Sequence, residues 1–141
     1  MTDRRLATIL SIDVAGYSRM MQSDAGAVLK VLNTVFRSLV KPKVAANGGR
    51  VVKLLGDGAL VEFPSAFQAV TCAIAIQEDM RQVPLPYAYR ETIYLRMGLH
   101  AGDVLVEGED IFGDGVNIAA RLQTAAQPGG ILLSRTVADL A

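Results

Sequence analysis

The order of elements legible in this 141-residue chain predicts an α+β sandwich, one sheet with helices packed on one face. Three observations predict it. Some apolar runs alternate at a step of two, while others recur at three and four. The two kinds follow one another as β, α, β, β, α, β, with an added helix and strand. Gly, Pro and Asn punctuate the boundaries between them. With 51% apolar and 20% charged residues, the chain lies outside the disordered range and should form one domain over residues 1–141 around a real core.

Leu6 to Asp13 is a β-rich apolar run ending in an acid, and Ala15-Gly16 breaks it before a polar segment that opens a helix. From Ser23 onward Val28, Leu32, Val35, Phe36, Leu39 and Val40 mark one face of a long helix. Pro42 should bend or end it. Asn47-Gly48-Gly49 supplies a stop, since Asn and Gly tolerate the left-handed conformation that closes helices. Arg50–Leu55 and Ala59–Phe63 are strands joined by Gly56-Asp57-Gly58, a hairpin with a carboxylate at its tip. Ser65 and Gln68 have capping-box spacing, which predicts a helix from Ala66 to about Arg81 with Phe67, Val70 and Ile74 on its core face. Pro84-Leu85-Pro86 reads as an irregular connection. Ile93, Leu95, Met97 and Leu99 alternate with Tyr94, Arg96, Gly98 and His100 as a strand, from which Val104–Glu107 should turn back as a short one. Val116–Ala126 is helical and ends at Gln127-Pro128-Gly129-Gly130. Ile131–Leu133 forms a last strand, and Ser134 caps a final helix.

Fourteen Lys plus Arg balance fourteen Asp plus Glu, so no global attraction to nucleic acid or an anionic membrane is built in. A single Cys72 makes no internal disulfide, which fits a reducing compartment, and His100 stands alone, so no zinc-ligand set exists. The apolar run near the N-terminus is too short for a signal peptide, and no stretch of ~20 apolar residues is available to span a bilayer. The expected location is cytoplasmic.

Two acids stand out. Asp13 ends a strand before a Gly-containing turn, and Asp57 sits at a Gly-flanked hairpin tip; sheet order can place the two side by side. Paired carboxylates at strand ends suit magnesium, a hard cation that keeps sites open for substrate phosphates. The amides of Gly16, Tyr17 and Ser18 at a helix start suit phosphate oxygens. The alternative is a helix-start acid and a turn former. Asn117 and Arg121 share a helix face, a donor array suited to a phosphoryl group gaining charge, or else a solvated Arg paired with a nearby acid. Lys53 shares a face with Val51 and Leu55, unless it merely snorkels, and Asp110 sits in a polar turn. His100 reads as a structural histidine and Cys72 as a small packing residue.

Taken together, Ile12-Asp13-Val14-Ala15-Gly16-Tyr17-Ser18, Lys53-Leu54-Leu55-Gly56-Asp57-Gly58, Gly98-Leu99-His100-Ala101-Gly102, Asp110-Ile111-Phe112-Gly113, Val116-Asn117-Ile118-Ala119-Ala120-Arg121-Leu122 and Pro128-Gly129-Gly130-Ile131 resemble the class III nucleotidyl cyclase catalytic domain. The resemblance implies a ferredoxin-like α+β fold with a βααββαβ core, working as a homodimer with active sites shared across the interface. It implies that Asp13, Asp57 and the Val14 carbonyl hold two Mg2+ or Mn2+ ions, ~3.5 to 4 Å apart. Lys53 and Asp110 correspond to the purine-reading pair and Asn117 and Arg121 to the transition-state pair. An acid that accepts and a lysine that donates complement the pairing edge of adenine, whereas guanine inverts that pattern. The implied reaction is conversion of ATP to 3′,5′-cyclic AMP and pyrophosphate, with guanylate cyclase or a non-catalytic nucleotide-binding dimerisation module as alternatives. Asp103 stands where some members carry a triphosphate-binding arginine, the link from Gly102 to Asp110 is short, and the family domain continues through further strands, so the chain is expected to be C-terminally truncated.

Overall fold

In a computed structural model, the structure describes residues 3–82 and 93–141. The connection expected at Pro84-Leu85-Pro86 lies outside them. In chain order the elements are β1 (Asp3–Val14), α1 (Tyr17–Thr34), a π-helical turn (Val35–Val40), α2 (Lys41–Ala46), β2 (Arg50–Leu55), β3 (Gly58–Phe63), α3 (Ala66–Gln82), β4 (Leu95–Glu107), β5 (Asp110–Phe112), α4 (Asp114–Ala125), β6 (Ile131–Leu133) and α5 (Arg135–Leu140). The strands form one sheet in the order β2-β3-β1-β4-β5, all antiparallel, while β6 pairs with β4 in parallel. Its central order, β2-β3-β1-β4, is that of a split βαβ sandwich, and the expected α+β class holds. Among the described residues, no helix is long and apolar enough to cross a membrane.

Helices cover both faces of the sheet, not one as expected. Leu10, Ile12 and Val14 of β1 join the larger cluster with residues of α1, α2, α3 and α5. Ala7 and Ile9 point the other way and meet Leu60, Val104, Ile111 and Ala119, the last from α4. The physical reason is a close approach at Gly98, where a Cβ would lie 2.3 Å from the Ala119 carbonyl oxygen and the Gln123 amide. Glycine lets the backbone of α4 rest on β4, and a buried hydrogen bond from Ser11 Oγ to Gln123 Oε1 at 3.0 Å fastens it to β1. An apolar run such as Ile9 to Ile12 fits burial on one face or on two, so the pattern left this open.

Three other expectations are corrected. Val104–Glu107 does not turn back: it continues β4, which pairs with β1 along its whole length, from Asp3 opposite Val106 to Val14 opposite Leu95. Unbroken pairing to β1 holds the strand extended through Gly102-Asp103, and the turn comes later, at Gly108 with φ +61°, before β5. On α3, Phe67 is 67% exposed and Ile74 47%, while Ala66, Ala69, Cys72, Ala73, Ile76 and Met80 are buried. Both stripes are apolar, and the small-residue stripe lets the helix sit closer to the sheet. Of the bend or end expected at Pro42, the end does not occur, since the helical stretch runs on through it. Pro42 lies in the first turn of α2, after the π-helical turn, where its missing amide donor costs little. The stop falls where expected, with Gly48 at φ +75° and the Gly49 amide bonded to the Val44 carbonyl at 2.9 Å. Ser134 also caps α5 as expected, its hydroxyl accepting from the Val137 amide.

Candidate active site

The two acids of the sequence reading are brought together. Asp13, next to last in β1, pairs with Gly58, the first residue of β3, and the Val14 amide donates to the Asp57 carbonyl at 2.9 Å. A Cβ on Gly58 would meet the Ile12 carbonyl oxygen at 2.2 Å, so only glycine lets the hairpin tip lie this close to β1. After β1 the chain turns at Gly16, φ +74°, and α1 starts at Tyr17 without a capping side chain or a first-turn acid. The Tyr17 ring leans to the hairpin tip, its hydroxyl 3.7 Å from where a Gly56 Cβ would be. Carboxylates and an acid-free helix start therefore share one end of the sheet. Both acids offer hard oxygen donors, and among the described residues no third His, Cys, Asp or Glu joins them. Such a donor set fits Mg2+ or Mn2+ with remaining positions filled by backbone carbonyl, water and phosphate.

Arg96, which the sequence reading assigned no role, is part of this site. It faces Asp13 across the β1–β4 pair. Its Nε donates to Asp13 Oδ1 at 2.9 Å and its Nη2 to Asp13 Oδ2 at 2.5 Å. Nη1 reaches the Thr124 carbonyl near the end of α4 at 3.1 Å. The hydrogen bond to Asp13 is the main cause that raises the Arg96 pKa, and Asp57 adds to it through space. Only the register could have revealed this pair, because 83 residues separate them in sequence.

Lys53 and Asp110 also meet. Lys53 Nζ lies 3.2 Å from Asp110 Oδ2 and 5.7 Å from the centre of the Phe112 ring. Asp110 Oδ1 accepts from the Ile111 amide at 2.8 Å, and this bond, with Lys53 adding, holds the carboxyl below its ordinary range against the opposing effect of desolvation. Lys53 does not share the face of Val51. The β2–β3 register shifts between them, Val51 pairing with Val61 and Lys53 with Leu60. The bulge turns Lys53 to the α4 side of the sheet, where it is 40% exposed beside β5.

Asn117 and Arg121 stand on the exposed side of α4, away from the buried Gly115, Ala119 and Gln123. Among the described residues, neither side chain has a hydrogen-bond or ion-pair partner. Asp103 is exposed on β4. Cys72 is fully buried and its thiol is pushed up to about 11 by desolvation, as befits a packing residue. His100 has a buried Nδ1 without a partner among the described residues, and burial lowers its pKa.

The profile of the "Adenylate and Guanylate cyclase catalytic domain" family matches residues 2–141. The chain belongs to that family, the class III cyclases. Within it, this cyclase domain is 45% identical over 131 residues to a Rhizobium meliloti (strain 1021) protein named "Putative adenylate cyclase 3", covering 93% of the chain and 22% of that protein. It is 34% identical over 140 residues to "Adenylate cyclase" of Streptomyces coelicolor, covering 99% of the chain and 35% of the relative. The chain thus spans about a fifth to a third of these relatives' lengths. Among solved structures, the "Adenylate/Guanylate Cyclase/Hydrolase" of Silicibacter pomeroyi superposes with a TM-score of 0.88 at 41% identity, covering 99% of this chain and 81% of that one. The cyclase domain therefore has the α+β cyclase fold.

Proposed function

We propose that this cyclase domain is an adenylate cyclase, converting ATP to 3′,5′-cyclic AMP and pyrophosphate at sites shared by two copies of the chain. The observation that carries the choice of ATP is the Lys53–Asp110 pair, an ammonium donor and a carboxylate acceptor 3.2 Å apart and open to solvent. Together they present the donor–acceptor pattern that adenine needs and guanine lacks. The Ile111 amide and Lys53 favour the charged form of Asp110 and hold its carboxyl below the ordinary range.

Asp13, Asp57 and the Val14 carbonyl would hold two Mg2+ or Mn2+ ions. Bound there, the ions would supply the lowered pKa of the ribose 3′ hydroxyl and the counter-charge for the triphosphate. The first-turn amides of α1, at Gly16, Tyr17 and Ser18, face the same end of the sheet and would take phosphate oxygens. Asn117 and Arg121 project from α4 without partners among the described residues, which suits groups that complete the site of a second copy. There Arg121 would meet the charge that builds on the α-phosphate as the 3′ oxygen attacks and pyrophosphate leaves.

The test is cyclic nucleotide formation from ATP and from GTP, singly and in competition, with Mn2+. Cyclic AMP from ATP, lost in Asp57→Ala, is expected. Preferential cyclic GMP would replace this reading with guanylate cyclase, and ATP binding without turnover in a dimer would leave a nucleotide-binding module.

A further inference from the structure

We propose that Arg96 sets how the Asp13–Asp57 pair takes up a divalent cation, so that the site loads together with the triphosphate and not ahead of it. This rests on the metal-binding reading of the two acids given above. The guanidinium engages both Asp13 oxygens, at 2.9 and 2.5 Å, in the fork geometry that carboxylates match best. Its third bond, 3.1 Å to the Thr124 carbonyl, fixes the guanidinium plane between β4 and α4. Side-chain exposure is 25% for Arg96 and 16% for Asp13, so water screens the pair only in part.

Two consequences follow. Asp13 presents its remaining lone pairs in a plane dictated by the fold, which orients the cation-facing side of the carboxylate. The local charge is also halved: two carboxylates and one guanidinium sum to −1, so a lone dication meets a weak field. A nucleotide triphosphate brings several negative charges, restoring what Arg96 cancels. Arg96 is a positioning residue here, acting through Asp13 rather than on the substrate.

Mn2+ binding to the nucleotide-free chain, read from the electron paramagnetic resonance signal of unbound Mn2+, tests this in wild type, Arg96→Met and Arg96→Lys, with melting in chelator as the control of folding. In Arg96→Met, Mn2+ affinity should rise about tenfold over the wild type as the cancelling charge goes. Its turnover with Mn2+ and ATP should fall, because Asp13 loses its orientation. Arg96→Lys keeps the charge and should keep wild-type Mn2+ affinity while losing turnover. Tighter metal with slower chemistry is not what a purely structural role gives. If Arg96→Met does not fold, Arg96→Gln, which keeps a neutral donor, carries the same expectation. Unchanged or weaker Mn2+ affinity in the folded neutral variant overturns the role of Arg96. A wild-type chain that takes up no Mn2+ even with ATP overturns the metal reading itself, and with it this one.

Discussion

His100 carries a titration of its own. Its Nδ1 is buried without a partner among the described residues, and burial holds its pKa below the ordinary 6.5. Between the folded value and 6.5 the unfolded chain binds the proton and the folded chain does not, so stability falls as pH drops through that window and levels off below it. Denaturant unfolding at pH 7.5 and at successively lower pH should show this loss, and His100→Gln should lack it. Asp110 runs in the same sense, at lower pH. Its depressed carboxyl contributes stability that is present above the unfolded value of 3.8 and disappears as pH falls through the folded one. The proposed purine-reading role is tested by Asp110→Ala, where the ratio of kcat/KM for ATP to that for GTP should drop by roughly 10- to 100-fold, since the adenine amine then lacks its acceptor.

At the scale of elements, α4 is the part whose placement matters most, because it carries Asn117 and Arg121 on one side and is seated on Gly98 and Ser11 by the other. Gly98→Ala should lower stability by about 1–3 kcal/mol, the range for overpacking, and should cut turnover as well by lifting the helix. Thermal melting and cyclic AMP formation measured on one preparation check both. Ser11→Ala leaves the buried Gln123 side-chain oxygen without its donor, with an expected cost of about 1–3 kcal/mol and no change in the surface of α4. Much at this scale was legible: the strand-ending acids, the Gly-flanked hairpin, the Asn-Gly-Gly stop and the Ser134 cap all follow from local chemistry. The bulge before Lys53, the buried stripe of α3 and the second covered face were not. Each depends on which of two apolar surfaces finds a partner, and period alone does not rank them.

For the whole molecule, the assignment of roles makes a prediction that only a shared site gives. Asp57→Ala and Arg121→Ala should each be inactive, Arg121→Ala with turnover down by about 10²- to 10³-fold. Mixed in equal amounts, they should recover about a quarter of wild-type activity, since half of the dimers are mixed and each of those holds one intact site. No recovery on mixing, with exchange of subunits verified, would mean that the acids and α4 of one chain build a site together, without the second copy. The kinds of group available can be read without a structure: oxygen donors at strand ends, a lysine and an aspartate, an amide and a guanidinium one turn apart. They can be read because turns, caps and helix spacing are local and leave marks on neighbouring residues. Tertiary structure alone decided who meets whom. Arg96 clasps Asp13 across 83 positions and Lys53 meets Asp110 across 57, through strand register, a bulge and a glycine-sized approach that no short stretch of sequence encodes.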